Sequence, residues 1–134
     1  MRKLSQLESI GVKFTEHLHQ IGIDDQQQLL ATGSTRNQRN ELAKKTGINP
    51  KLIFKWITQA DLARVHGIGD DYAELLEHCS VDSVQVLAQF NSEKLFQIMQ
   101  RINDQTNLVK QIPSKTQVQS WIAQAKVLPI IVER

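Results

Sequence analysis

The chain has 134 residues, 40% of them hydrophobic and 22% charged, enough apolar side chains for a packed core and too many for a disordered polymer. Aromatics make up only 5%, so aliphatic residues must fill most of the interior. No stretch reaches the roughly 18 apolar residues of a membrane span, and "MRKLSQLESIG" lacks the apolar core of a secretory signal.

One cysteine, Cys79, cannot close an internal disulfide, and a cytoplasmic location is expected. Cys79 continues the helical spacing of Leu75 and Leu76, which predicts a buried thiol. Net charge is +2, but it is unevenly spread. Residues 1–60 hold nine Lys/Arg against five Asp/Glu, and residues 61–134 hold seven against nine. The segment 36–55 alone has six basic residues facing only Glu41. A polyanion would meet that region first.

In chain order, Leu4, Leu7 and Ile10 form one helical face, and Phe14, Leu18 and Ile21 form the next. Asp24 precedes "QQQLLA" as a helix cap, and Asp82 precedes "VQVLAQ" in the same way. Asn49-Pro50 opens a helix through Trp56 to Ala60. Ser92 and Ser114 start two more. Pro129 ends the last helix, and "LPIIVER" reads as extended.

The chain reads as a weak duplication. At an offset of 58, Phe14 falls on Tyr72, Leu18 on Leu76, Ile23 on Val81 and Leu29 on Leu87. "KWITQADL" (55–62) and "SWIAQAKV" (120–127) match at an offset of 65. Trp56 and Trp121 are read as matching core anchors rather than base-stacking platforms. The expected fold is all-α: two degenerate helix-hairpin-helix repeats, a SAM/HhH-like helical domain of about nine or ten short helices. Residues 1–60 form the first unit with a basic helix-turn-helix-like segment, 61–128 the second, and 129–134 an extended tail, all within one compact domain.

Two motifs carry chemistry. Leu62-x-x-Val65-x-Gly67-Ile68-Gly69-x-x-Tyr72-Ala73-x-x-Leu76 has the form of a helix-hairpin-helix. Its glycines permit backbone angles closed to other residues, Ile68 plugs into the helix pair, and free N–H groups face outward toward a phosphate. Asp70 and Asp71 stand at that helix start, where they can cap its N–H groups and repel DNA, so a structural corner or protein contact is favoured. The first copy has Ser9 in place of the first glycine, and Lys13 where the second has Asp71. It is the better phosphate candidate of the two. The second motif, "LAKKTGINPKLIFKWI" (42–57), resembles a helix-turn-helix. The helix in the reading position offers only Lys51, Lys55, Thr58 and Gln59, a poor set for reading bases.

The segments "ELAKKTGINPKLIFKWITQADLARVHGIGDDYAELLE" and "QVQSWIAQAKVLP" resemble a bacterial family known as domain of unknown function 4332. The resemblance spans Leu4 to Leu128. It implies a double helix-hairpin-helix fold and carries over no activity, substrate or binding residue.

No catalytic motif is present, and no enzymatic activity or cofactor is expected. His17 and His19 are two apart on a helix and point to different faces, and His66 reads as surface or packing. With one cysteine, no metal site is expected. Two readings remain. One is a non-catalytic protein-interaction or scaffolding module, with a protein partner or self-association, in which the "LPIIV" tail adds a strand to a partner or pairs with another copy. The other is weak, sequence-independent nucleic-acid binding through Arg36, Arg39, Lys44, Lys45, Lys51 and Lys55, aided by Lys13.

Overall fold

The computed structural model describes residues 3–7 and 10–134. Ser9 of the first hairpin lies outside these. The described residues are helical and contain no strand, only an isolated bridge between Lys3 and Asp25. After a short 3-10 turn at Leu4–Gln6 come α1 (Gly11–Gln20), α2 (Gln26–Gly33), α3 (Arg36–Thr46) and α4 (Pro50–Leu62). Then follow α5 (Asp70–His78), α6 (Val84–Ala88), α7 (Ser92–Thr106) and α8 (Lys115–Val127). The count is thus eight α-helices among the described residues, not nine or ten, since the first apolar face forms only a 3-10 turn.

Residues separate into two units. One comprises the chain up to Asp61 together with Ile131–Arg134, the other Leu62–Ile130. The first unit's core includes Leu4, Leu18, Ile23, Leu29, Ile53, Trp56 and Ile57, with Val132 from the tail. Within it α2 lies close to α4: a methyl group on Gly33 would sit 2.7 Å from Ile57 Cδ1. The second core is built from Leu62, Ile68, Leu75, Leu76, Leu87, Leu95, Met99 and Trp121, with α8 packed on α6 and α7.

Local signals place most helix starts, with a shift of one residue at three of them. The caps are Asp25, Ser83 and Asn91, each accepting from the backbone N–H three residues on, where Asp24, Asp82 and Ser92 were expected. Geometry explains the shift at α2. Asp25 accepts from Gln28 N at 2.8 Å while Gln28 Oε1 accepts from Asp24 N at 2.6 Å, so adjacent aspartates hold the two ends of one capping arrangement. Ser114 caps α8 as expected and forms a full capping box with Gln117. Asn49 Oδ1 accepts from Lys51 N at 2.9 Å at the start of α4.

The ends of α1 and α5 share one geometry. Ile23 N donates to Leu18 O at 2.9 Å and Gly22 N to His19 O at 3.0 Å. Val81 N donates to Leu76 O at 2.9 Å and Ser80 N to Glu77 O at 3.0 Å. Both are Schellman ends, with a left-handed residue after the cap and a buried apolar pair beyond it. The left-handed residue is Gly22 (φ +88°) in one and Ser80 (φ +66°) in the other. Serine is strained there, and Ser80→Gly is expected to raise stability by about 1 kcal/mol, read as a shift of the urea midpoint at unchanged slope.

The two tryptophans are buried as anchors. Phe14 meets Trp56 with ring centroids 5.4 Å apart at 55°, and Tyr72 meets Trp121 at 5.4 Å and 53°. Cys79 is buried, and burial pushes its thiol up to about 11 against a smaller opposing pull from Arg101.

Candidate functional site

The glycine corner leads into α5. Val65 N donates to Leu62 O at 3.0 Å and Ile68 N to Val65 O at 3.2 Å, which turns the chain sharply. Ile68 is fully buried. Gly67 is left-handed at φ +98°, and a Cβ there would lie 2.9 Å from Trp121 Nε1. Gly69 is different: its backbone is extended (φ −91°, ψ −173°), and a Cβ there would meet nothing within 4 Å. Only one of the two glycines is therefore demanded by conformation.

The corner is buckled to α8 by a residue the motif does not contain. Gln124 Oε1 accepts from His66 N at 2.8 Å, and Gln124 Nε2 donates to His66 O at 3.1 Å. The signal for it lay in the repeated "ITQA" and "IAQA", where a glutamine follows the tryptophan by three residues. Gln59, its counterpart, is buried.

Gly69 is the N-cap of α5, and no side chain caps that helix end. Asp70 and Asp71 stand exposed in its first turn, so the expected self-capping by Asp70 is not found. A side chain at the first or second helical position cannot fold back as the N-cap oxygen does; its carboxylate acts only through the helix dipole. A groove of about 660 Å³ runs beside the corner, lined by Gly67, Gly69, both aspartates, Tyr72 and Leu108–Gln111. Tyr72 donates to Gln111 O at 3.1 Å across it. An anion approaching the N–H groups of α5 meets two carboxylates first.

The basic segment divides into three parts. Lys44 and Lys45 are exposed in the last turn of α3, where their charge complements the helix dipole, and Lys44 lies 4.0 Å from Glu41. Gly47 (φ +72°) ends α3, and Lys51 is exposed in the first turn of α4. These three lysines flank one short turn. Lys55 is half-buried, and Lys13 is exposed on α1. From Trp56 to Leu62 every residue of α4 is buried, which leaves Thr58 and Gln59 no face to offer a DNA groove.

Arg36 and Arg39 are occupied elsewhere. Arg39 is 5% exposed; its guanidinium donates to Gly33 O at 3.0 Å, Ser34 O at 3.1 Å and Glu133 O. It also lies 4.9 Å from the Phe54 ring centroid. Desolvation lowers its pKa, Glu133 opposes that, and Arg36 adds to it; an arginine so placed stays charged. Arg36 donates through Nη2 to Arg134 O at 2.8 Å, and its backbone N–H donates to the Glu133 carboxylate at 3.2 Å. Glu133 N completes the set by donating to Ser34 O at 2.7 Å. Residues 131–134 form neither helix nor strand and are held on the first unit by these contacts and by buried Val132.

Among the described residues, no three His, Cys, Asp or Glu side chains stand close enough to hold a metal, and no helix is long and apolar enough to cross a membrane.

These features define an all-helical chain of two small units with a glycine corner and a docked tail. The chain belongs to the family described as a domain of unknown function, DUF4332, whose model matches residues 8–128. No curated protein and no solved structure matches it.

Proposed function

We propose that the chain is a non-catalytic, cytoplasmic binding module made of two duplicated helix-hairpin-helix-like units, and that its partner is protein. Support for the duplication comes from the paired Schellman ends and from the near-equal Phe14–Trp56 and Tyr72–Trp121 geometries. The observation carrying the protein reading is the disposition of charge. Both arginines of the basic segment face the chain's own tail, while the mouth of the glycine corner presents Asp70 and Asp71. Two carboxylates stand where the motif would hold a phosphate, and the open groove there combines them with Tyr72, Leu108 and Val109.

One observation favours the second reading, sequence-independent nucleic-acid binding: Lys44, Lys45 and Lys51 are exposed around a single turn. Three phosphate contacts give a weak, salt-sensitive affinity. The test is a titration of labelled duplex and single-stranded DNA and RNA at low and physiological salt, with Lys44→Glu/Lys45→Glu alongside. The expected result is feeble binding at low salt, lost in the double variant, and none at physiological salt. Tight binding at physiological salt that the double variant removes would overturn the protein reading.

A further inference from the structure

We propose that the corner between α2 and α3 is a receptor for an extended chain segment, and that a second copy of this chain fills it with residues 131–134 in exchange for its own. This rests on the protein-binding reading. The receptor grips its segment almost wholly by main chain. Ser34 O takes Glu133 N, Arg39 donates to Glu133 O, and Arg36 donates to Arg134 O. Two side chains add to this: Val132 enters the apolar core, and the Glu133 carboxylate accepts from Arg36 N at the positive start of α3. None of these contacts depends on which copy supplies the segment, so an exchanged tail makes the same set.

The connecting stretch argues for the second copy as occupant. Val127, Ile130 and Ile131 are 82%, 65% and 41% exposed, three of the five large hydrophobics that stand so open among the described residues. Pro129 keeps the stretch from continuing α8, and Arg64 holds Pro129 O at 2.7 Å. The pivot is thereby confined to Ile130 and Ile131. In an exchanged pair the two connecting stretches run past each other, and these β-branched side chains cover one another. The tail's local concentration around its own receptor is on the order of millimolar, so exchange grows as protein concentration approaches that range and sets in earlier if the connecting stretch is buried.

A disulfide trap tests this in the full chain. One preparation carries Ser34→Cys, another Glu133→Cys, and a third carries both. The 2.7 Å contact between Glu133 N and Ser34 O brings the two main chains side by side, and the doubly substituted chain reports whether the two thiols reach each other. Cys79 is buried and protonated and stays out of the reaction. The first two preparations are mixed under mild oxidation from about 10 µM to about 1 mM. The expected result is an inter-chain bridge whose yield rises with concentration and falls at least fivefold when Ile130→Asp/Ile131→Asp is added, a change that leaves every receptor contact in place. A bridge within the doubly substituted chain but none between chains at about 1 mM would confine the receptor to its own tail and overturn the exchange. Absence of both bridges would overturn the receptor itself. Tight DNA binding in the titration above would instead sink the protein reading, with the inter-chain bridge unaffected.

Discussion

Alanine at position 67 is expected to destabilise the protein by about 2–5 kcal/mol, whereas serine at position 69 is expected to leave stability unchanged or raise it by a few tenths. Two costs add at Gly67. A left-handed backbone at φ +98° is uphill for any residue with a Cβ, by about 1–2 kcal/mol. That Cβ would also stand 2.9 Å from Trp121 Nε1, and the indole is buried with Tyr72 tilted against it, so relief requires moving a core ring. Overpacking of this kind costs about 1–3 kcal/mol. Gly69 has ordinary extended angles and open space, and it sits at the uncapped start of α5, where a serine hydroxyl supplies the missing acceptor. Urea unfolding of the two variants separates the cases. Equal losses at both positions would mean that the corner is not turned as described.

Arg39→Met is expected to cost about 2–4 kcal/mol and to release the tail. Methionine keeps the stem that passes Phe54 but removes the donors to Gly33 O, Ser34 O and Glu133 O. These carbonyls lie in or near the core and lose a charged partner, which is worth more than a neutral one. Arg36→Met removes one exposed contact to Arg134 O and is expected to cost under about 1 kcal/mol. The readouts are the urea midpoint and amide exchange at Val132 and Glu133: fast exchange in the Arg39 variant and slow exchange in the wild type. Unchanged protection would show that Val132 and the contacts to Ser34 and Arg36 hold the tail without Arg39.

Both variants concern residues whose roles are unequally written in the sequence. The all-helical class was legible, because apolar spacing of three and four is set by the helix itself, and so was the identity of the anchors: Trp56, Trp121, Leu18 and Leu76 are all buried. Caps were legible to within one residue. A cap joins groups three apart, so the short sequence window contains the whole interaction; choosing between adjacent Asp24 and Asp25 needs the backbone angles. Family membership was carried by the motifs themselves.

The candidate site was less legible. Arg36 and Arg39 look like members of a basic run because their partners, Glu133 and Arg134, lie 94 to 98 residues away. Likewise, α4 shows the spacing of a DNA-reading helix, and only the fold reveals that it is buried from Trp56 onward. Asp70 and Asp71 promised caps, yet the fold starts α5 one residue earlier and leaves them facing the groove. Sequence by itself determined what depends on neighbours within one helical turn: helix type, ends to within a residue, and apolar faces. Tertiary structure alone decided which charges remain available, because a buried cation such as Arg39 is defined by carbonyls that only folding brings to it.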